Sequence, residues 1–158
     1  MSLIEKIHSH LIKSEKTLAL AESCSGGHLS AQFTSIPDAS KYFLGSLVVY
    51  SNALKMSLLK VTSETLIHSG AVSREVADEM LLGLMKRTEA DYGIAVTGIA
   101  GPSGGTAEKP VGTVFIALGI RGKKPHIVEC HFNGDRAAVI EAICERAISE
   151  LALLLDMV

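Results

Sequence analysis

The sequence lacks the features that mark several large classes of protein. It has no run approaching the roughly 20 consecutive apolar residues that a membrane-spanning helix requires. Its amphipathic first residues, 1–6, lack the apolar core of a secretory signal. The formal net charge of −2 and the absence of a basic stripe argue against a nucleic-acid binder. We therefore predict a soluble, cytoplasmic protein that binds neither membranes nor nucleic acids.

Cysteine is scarce and irregularly placed. The three cysteines, Cys24, Cys130 and Cys144, are odd in number and have no regular spacing, which argues against a disulfide framework. There is no C-x-x-C pair, and the six histidines show no zinc-ligand spacing. The sequence therefore predicts neither a metal site nor a bound cofactor.

What the sequence does contain is an alternation of short apolar strands with amphipathic helices. Strands alternate with helices up to residue 96, and a hairpin with a five-residue turn at 121–125 follows. This order predicts a mostly parallel sheet with one antiparallel member, covered by helices. The strands are predicted at 17–22, 43–50, 92–96, 111–120 and 126–132. The helices are predicted at 2–14, 26–35, after Ser51, at 63–68, 73–88 and 133–155.

Residues 21–27, Ala-Glu-Ser-Cys-Ser-Gly-Gly, are the most informative segment. They stand where a predicted strand ends and a helix begins. Such a junction can expose a side chain next to unpaired backbone N–H groups, which suit an anion or an oxyanion. A serine there becomes a nucleophile only if a base takes its proton. Ser23 is thus interpreted as a nucleophile or a helix cap, and Ser25 first as a helix cap.

Two other side chains of this region offer alternatives. Cys24 is a second candidate nucleophile, but a thiolate normally needs a nearby cation, and the neighbouring Glu22 is an anion. His28 fits an exposed helix surface better than the role of a general base.

Lys55 is the candidate base. A free lysine has a pKa of about 10.4, so a lysine base requires a decrease of roughly 3 units, or about 4 kcal/mol against the ammonium. A place in the first turn of a helix capped by Ser51 would lower the pKa, and so would desolvation by Leu54, Met56, Leu58 and Leu59. Tyr50 is placed to hydrogen-bond the lysine or the serine. The alternative is an exposed lysine on a polar helix face.

A second glycine-rich segment, 97–105, follows the predicted strand at 92–96. It matches neither a P-loop nor a dinucleotide fingerprint, and is either a concave set of N–H groups for a phosphate or a structural turn. Arg136 follows at the start of the last helix. It is placed to bind a phosphate in bidentate fashion or to pair with Asp135 or Glu145.

Six segments taken together resemble the CinA C-terminal domain family, over nearly the whole chain. One such segment would be a weak signal, but six in the same order are specific. The segments are 21–27, 50–52 with Lys55, 70–73, 98–102, 109–114 and 134–136.

The resemblance implies a single domain over residues 1–158 with a three-layer α/β/α sandwich. Its sheet is mixed and mostly parallel, with five or six strands, and the protein is commonly a homodimer. Stand-alone members are nicotinamide-nucleotide amidases, also called NMN deamidases. They hydrolyse the carboxamide of nicotinamide mononucleotide, giving nicotinate mononucleotide and ammonia in pyridine-nucleotide recycling. The alternative is a nucleotide-binding regulatory module without chemistry of its own.

The site residues that the resemblance implies fall on specific positions of this chain. Ser23 takes the position of the nucleophile, Lys55 that of the base, and Tyr50 that of the family tyrosine. Ser25 stands where the family usually has threonine. With Gly26 and Gly27 it is expected to bind substrate and to stabilise the oxyanion through backbone N–H groups. The mononucleotide-binding positions fall on Thr97, Gly98, Ile99, Ala100, Gly101 and Arg136.

Overall fold

Five strands form one sheet in a computed structural model that describes residues 1–157. The strands are β1 (Leu18–Glu22), β2 (Phe43–Val48), β3 (Tyr92–Gly98), β4 (Thr113–Ile120) and β5 (His126–His131). Their order across the sheet is β2-β1-β3-β4-β5. β1 pairs in parallel with β2 and β3, whereas β4 pairs antiparallel with β3 and β5. β4 therefore runs against the other four strands, which confirms the prediction of one antiparallel member.

Helices cover both faces of the sheet. They are α1 (Leu3–Ser14), α2 (His28–Thr34), α3 (Asn52–Leu59), α4 (Ser63–Ser69), α5 (Arg74–Thr88) and α6 (Arg136–Leu154). α1, α2 and α6 pack on one face and α3, α4 and α5 on the other, each group with its own cluster of buried apolar side chains. The predicted three-layer α/β/α sandwich with a mixed five-stranded sheet is confirmed.

The central strands are apolar on both faces, as a covered sheet requires. Along β1, Leu18 and Leu20 join the core under α1, α2 and α6, while Ala19 and Ala21 face α5. The α5 face is built from small residues, which allow this helix to lie close to the sheet. At Gly119, for example, an added Cβ would lie 3.0 Å from a methyl carbon of Leu81.

Several boundaries differ from the predictions. β2 ends at Val48 rather than at residue 50, and β3 continues to Gly98 rather than ending at 96. α2 begins at His28 and not at 26, because Gly26 and Gly27 have φ angles of 55° and 97°. A right-handed helix excludes such angles, so the two glycines form a turn instead.

The carboxylate of Glu22 holds the start of α2 in place. This side chain is 0% exposed. Its Oε1 accepts the N–H groups of Gly27 and Leu29 at 3.2 and 3.0 Å, and its Oε2 accepts the N–H of Ser30 at 3.1 Å. The Ser46 hydroxyl on β2 donates to Oε2 at 3.0 Å. One buried anion thus connects β1, β2 and α2.

We expect Glu22→Gln to lower the free energy of unfolding by about 2–3 kcal/mol, because an amide loses the charge and replaces one acceptor oxygen with a donor. Glu64→Gln is the matched control, since Glu64 is an exposed carboxylate in the first turn of α4. Its loss should stay below about 1 kcal/mol. Urea unfolding at neutral pH measures both values, and equal losses would contradict the role of Glu22.

Candidate active site

A cavity of about 270 Å³ lies at the carboxyl ends of the parallel strands. This is the edge at which open α/β sheets place their ligands. The three predicted catalytic residues, Ser23, Tyr50 and Lys55, line it. So do the six predicted binding residues of the later segments, Thr97, Gly98, Ile99, Ala100, Gly101 and Arg136.

Ser23 and Lys55 meet at the base of this cavity. Lys55 Nζ lies 2.9 Å from Ser23 Oγ, 3.0 Å from the carbonyl oxygen of Val49 and 3.2 Å from that of Tyr50. Lys55 is 2% exposed and Ser23 7%. A neutral amine has two N–H groups and one lone pair. It can donate to both carbonyls and still accept the serine proton, so this geometry suits a base.

Burial lowers the pKa of Lys55. Of the two causes expected from the sequence, desolvation is confirmed and the helix dipole does not account for the shift. Leu54 and Met56 are exposed and contribute little desolvation. Lys55 is the fourth residue of α3, and its Nζ contacts carbonyl oxygens, which favour a cation. The lowered pKa therefore follows from the withdrawal of Nζ from water, not from the helix dipole.

Cys24 also lines the cavity, but its thiol is poorly suited to be a nucleophile. The residue is 6% exposed, and burial raises the pKa of the thiol to about 12. The sulfur packs beside Gly98, where an added Cβ would lie 3.1 Å from Sγ. A thiol with this pKa stays protonated at neutral pH. His28, the other alternative, is exposed on α2, and its Nδ1 lies 2.7 Å from the Ser25 carbonyl oxygen.

All three cysteines are free and buried. We expect iodoacetamide to modify none of them in the native protein at mildly alkaline pH, and all three after unfolding in urea. Mass spectrometry counts the modified thiols, and the urea sample controls for the reactivity of the reagent. Rapid modification of Cys24 in the folded protein would show that its thiol is accessible and ionised, contrary to this structure.

Tyr50 and Arg136 form a bridge beside the cavity. Arg136 Nη1 donates to the carbonyl oxygen of Gly101 at 2.7 Å, and Nη2 donates to the Tyr50 hydroxyl at 2.9 Å. The Tyr50 hydroxyl therefore contacts Arg136, and only the backbone carbonyl of Tyr50 contacts Lys55. This corrects the expectation that the Tyr50 hydroxyl bonds the lysine or the serine. The alternative pairing of Arg136 with Asp135 does not form, because Asp135 caps α6 through the N–H of Ala138 at 2.9 Å.

The glycine-rich loop after β3 lines the cavity, and several of its backbone N–H groups are unpaired among the described residues. The Ile99 N–H is used within the fold and donates to the carbonyl oxygen of Thr113 at 2.9 Å. Within residues 1–157, the N–H groups of the next non-proline loop residues have no acceptor. These residues are Ala100, Gly101, Ser103 and Gly104, and all four line the cavity.

Thr97 holds this loop against the opposite wall. It is 1% exposed, and its hydroxyl donates to the carbonyl oxygen of Ala71 at 2.7 Å. Ala71 and Val72 form part of the cavity lining, as does Asn52. These three were not among the predicted site residues. The sequence could have identified them, because they belong to the segments 50–52 and 70–73 that carry the family resemblance.

Ser25, Gly26 and Gly27 are not among the residues that line the cavity. The Gly26 N–H donates to the Ser23 carbonyl oxygen at 3.0 Å, and the Gly27 N–H to Glu22 at 3.2 Å. The expectation that these two N–H groups bind substrate is therefore wrong. Ser25 is 0% exposed, and its hydroxyl has no partner in the described part of the chain. It does not cap α2, because Glu22 does.

Across 1–157, no helix combines the length and hydropathy needed to cross a bilayer. In the same range, no three side chains of histidine, cysteine, aspartate or glutamate gather as a ligand set for a metal ion.

Fold and cavity together define an α/β protein with a buried serine–lysine pair at the carboxyl edge of a mixed sheet. A family model, the CinA C-terminal domain, matches residues 1–155. The chain belongs to the CinA C-terminal domain family.

Similar proteins include CinA-like proteins from Crocosphaera subtropica and Thermotoga neapolitana. Each is 50% identical, over 127 and 137 residues that make up 80% and 86% of this chain. These matches cover 30% and 33% of the relatives, so the chain spans about a third of their length.

Solved structures resemble the chain over most of its length. The competence/damage inducible protein CihA from Agrobacterium tumefaciens is 36% identical with a TM-score of 0.94, covering 96% of this chain and 93% of that one. A CinA superfamily protein from Escherichia coli is 35% identical with a TM-score of 0.91, covering 96% and 88%. At these identities the likeness supports both the fold and the family.

Proposed function

We propose that this chain is a nicotinamide-nucleotide amidase. It hydrolyses nicotinamide mononucleotide to nicotinate mononucleotide and ammonia through Ser23 and Lys55, and it acts in pyridine-nucleotide recycling. The observation that carries the proposal is the 2.9 Å contact between Lys55 Nζ and Ser23 Oγ in a cavity beside unpaired loop N–H groups. The family resemblance supplies the substrate.

The first half-reaction acylates the serine. Neutral Lys55 takes the proton of Ser23 while Oγ attacks the carboxamide carbon, and the carbonyl electron pair moves to the oxygen. As the tetrahedral intermediate collapses, the Lys55 ammonium returns the proton to the amide nitrogen. The carbon–nitrogen bond breaks, ammonia leaves, and the nicotinoyl group remains as an ester on Ser23.

The second half-reaction uses water in place of the serine hydroxyl. Lys55 takes a proton from water, and the resulting hydroxide attacks the ester carbon. Collapse of the second intermediate breaks the bond to Ser23 Oγ, which recovers the proton from Lys55. The dyad is regenerated and the product leaves as the carboxylic acid, which then loses its proton to ammonia or solvent and becomes nicotinate mononucleotide. One amide and one water thus give one acid and one ammonia.

Arg136 and the loop N–H groups supply hydrogen-bond donors for the phosphate. Arg136 uses two of its five N–H donors on Gly101 and Tyr50, which leaves three for an anion. The unpaired N–H groups of 100, 101, 103 and 104 form a second set of donors. The bridge also orients the guanidinium, so that less side-chain entropy is lost when the phosphate binds.

We expect Ser23→Ala and Lys55→Met to lower kcat by about a thousandfold or more, because each removes one member of a pair that acts as a unit. Methionine retains the apolar stem of the lysine without its amine. Ser35→Ala and Lys13→Ala, both at exposed positions, are the matched controls. Ammonia release from nicotinamide mononucleotide, followed with a chelator present, measures the effect.

The same samples separate the enzyme from a binding module. Near-normal turnover in Ser23→Ala or Lys55→Met would contradict the mechanism. Tight binding of the mononucleotide by the unaltered protein, with no ammonia released, would favour the non-catalytic alternative. Circular dichroism confirms that each variant is folded.

The pH dependence follows from the state of Lys55. Only the neutral amine accepts the serine proton, so kcat/KM rises with pH as Lys55 loses its proton. Because burial lowers the pKa of Lys55, this rise is expected at a pH below the usual range of lysine. Initial rates of ammonia release across the pH range give the profile. A rate that falls as pH increases through neutrality, or one that rises only near the pKa of a free lysine, would contradict the role of Lys55.

A further inference from the structure

The turn that carries Ser23 uses its backbone N–H groups unevenly. The N–H of Ser23 donates to the carbonyl oxygen of Val96 at 3.1 Å, and the N–H of Gly26 closes the turn on the Ser23 carbonyl oxygen at 3.0 Å. Cys24 and Ser25 are the two central residues of this turn. Neither N–H group has a backbone acceptor among the residues that the structure describes, and the Cys24 N–H lies only against its own sulfur, which is a weak acceptor.

Unpaired N–H groups in a buried turn call for an explanation, because leaving one unsatisfied costs about 1–3 kcal/mol. The two groups differ in their surroundings. Ser25 is 0% exposed and is not among the cavity-lining residues. Cys24 lines the cavity and directly follows Ser23 in the chain. Of these two donors without a backbone acceptor, only the N–H of Cys24 belongs to a residue that lines the cavity next to Ser23.

We propose that the backbone N–H of Cys24 binds the oxyanion of the tetrahedral intermediates formed on Ser23. This inference rests on the proposed function, since it requires Ser23 to be the nucleophile. The Cys24 N–H takes the oxyanion-binding role expected of Gly26 and Gly27, whose N–H groups already donate to the Ser23 carbonyl oxygen and the Glu22 carboxylate. Cys24 then acts through its backbone N–H, and its buried thiol takes no part in the reaction.

The electron balance puts a full negative charge on the substrate oxygen. As Ser23 Oγ forms its bond to the carbonyl carbon, the carbon–oxygen double bond becomes single and its electron pair moves to the oxygen. The proton of Ser23 goes to Lys55, so the oxygen carries a full charge. A fixed N–H in a site withdrawn from water stabilises such a charge without reorganisation.

An aldehyde analogue of nicotinamide mononucleotide tests the proposal. A formyl group replaces the carboxamide, and its carbon is labelled with ¹³C. Attack by Ser23 forms a hemiacetal, which the ¹³C chemical shift reports as a change from a carbonyl to a tetrahedral carbon. The protein is labelled with ¹⁵N-cysteine, and its three cysteines give three amide signals. Cys130 and Cys144 serve as internal controls.

The expected result is a downfield shift of the Cys24 amide proton in the adduct. Its hydrogen exchange should slow by about tenfold or more, as expected for one charge-assisted hydrogen bond. The amides of Cys130 and Cys144 should keep their shifts. A tetrahedral adduct with an unchanged Cys24 amide would overturn this inference alone. Absence of any adduct would remove Ser23 as the nucleophile, and with it both the proposed function and this inference.

Cys24→Pro supplies a second measurement, because it deletes the N–H at a turn position that proline favours. A folded variant is expected to lose about 10²–10³-fold in kcat with KM little changed, as for removal of one oxyanion donor. Full activity in that variant would overturn the proposal. If the variant does not fold, the amide signals of the unaltered protein decide the question.

Discussion

The structure depends on the withdrawal of one amine from water at the junction of two parallel strands. Lys55 Nζ reaches Ser23, which follows β1, and the carbonyl oxygens of Val49 and Tyr50, which follow β2. These oxygens come together because β1 and β2 keep one register from Ala19 onward, after a shift between Leu18 and Ala19, and end with Glu22 opposite Val48. A slip of one residue would turn every side chain of the strand to the opposite face. The pairing of the two strands therefore determines whether the dyad exists.

A buried carboxylate lies next to this dyad in sequence, yet it is kept apart from it. Glu22 and Ser23 are neighbours on an extended segment, so their side chains point to opposite faces of the sheet. Glu22 lies on the α2 side, where three N–H groups and the Ser46 hydroxyl satisfy it. A carboxylate paired with Lys55 would favour the ammonium and raise the pKa of the lysine. The alternation along β1 therefore protects the basicity of the site while anchoring α2.

The sequence predicted those features that depend on local pattern. The opposite directions of β4 and β5 follow from the hairpin at 121–125. The cap of α3 by Ser51 follows from residue type, and its hydroxyl accepts the Leu54 N–H at 3.1 Å. The cap of α2 was assigned to Ser25, because a serine near a helix start is the usual cap. Glu22 takes that role from within a strand, through contacts that span up to eight residues and a neighbouring strand. Such contacts leave no local pattern in the sequence. The sequence likewise does not show which N–H groups of a turn lack a backbone acceptor.

The set of oxygens around Lys55 has a consequence for proton transfer in the proposed reaction. The ammonium has three hydrogens for three oxygens, and the amine has two hydrogens and a lone pair for the same three. A proton can therefore pass between Ser23 Oγ and Nζ while these heavy atoms stay where they are. Although Lys55 is only 2% exposed, oxygens of the protein are thus in place to accept hydrogen bonds from the nitrogen in either charge state.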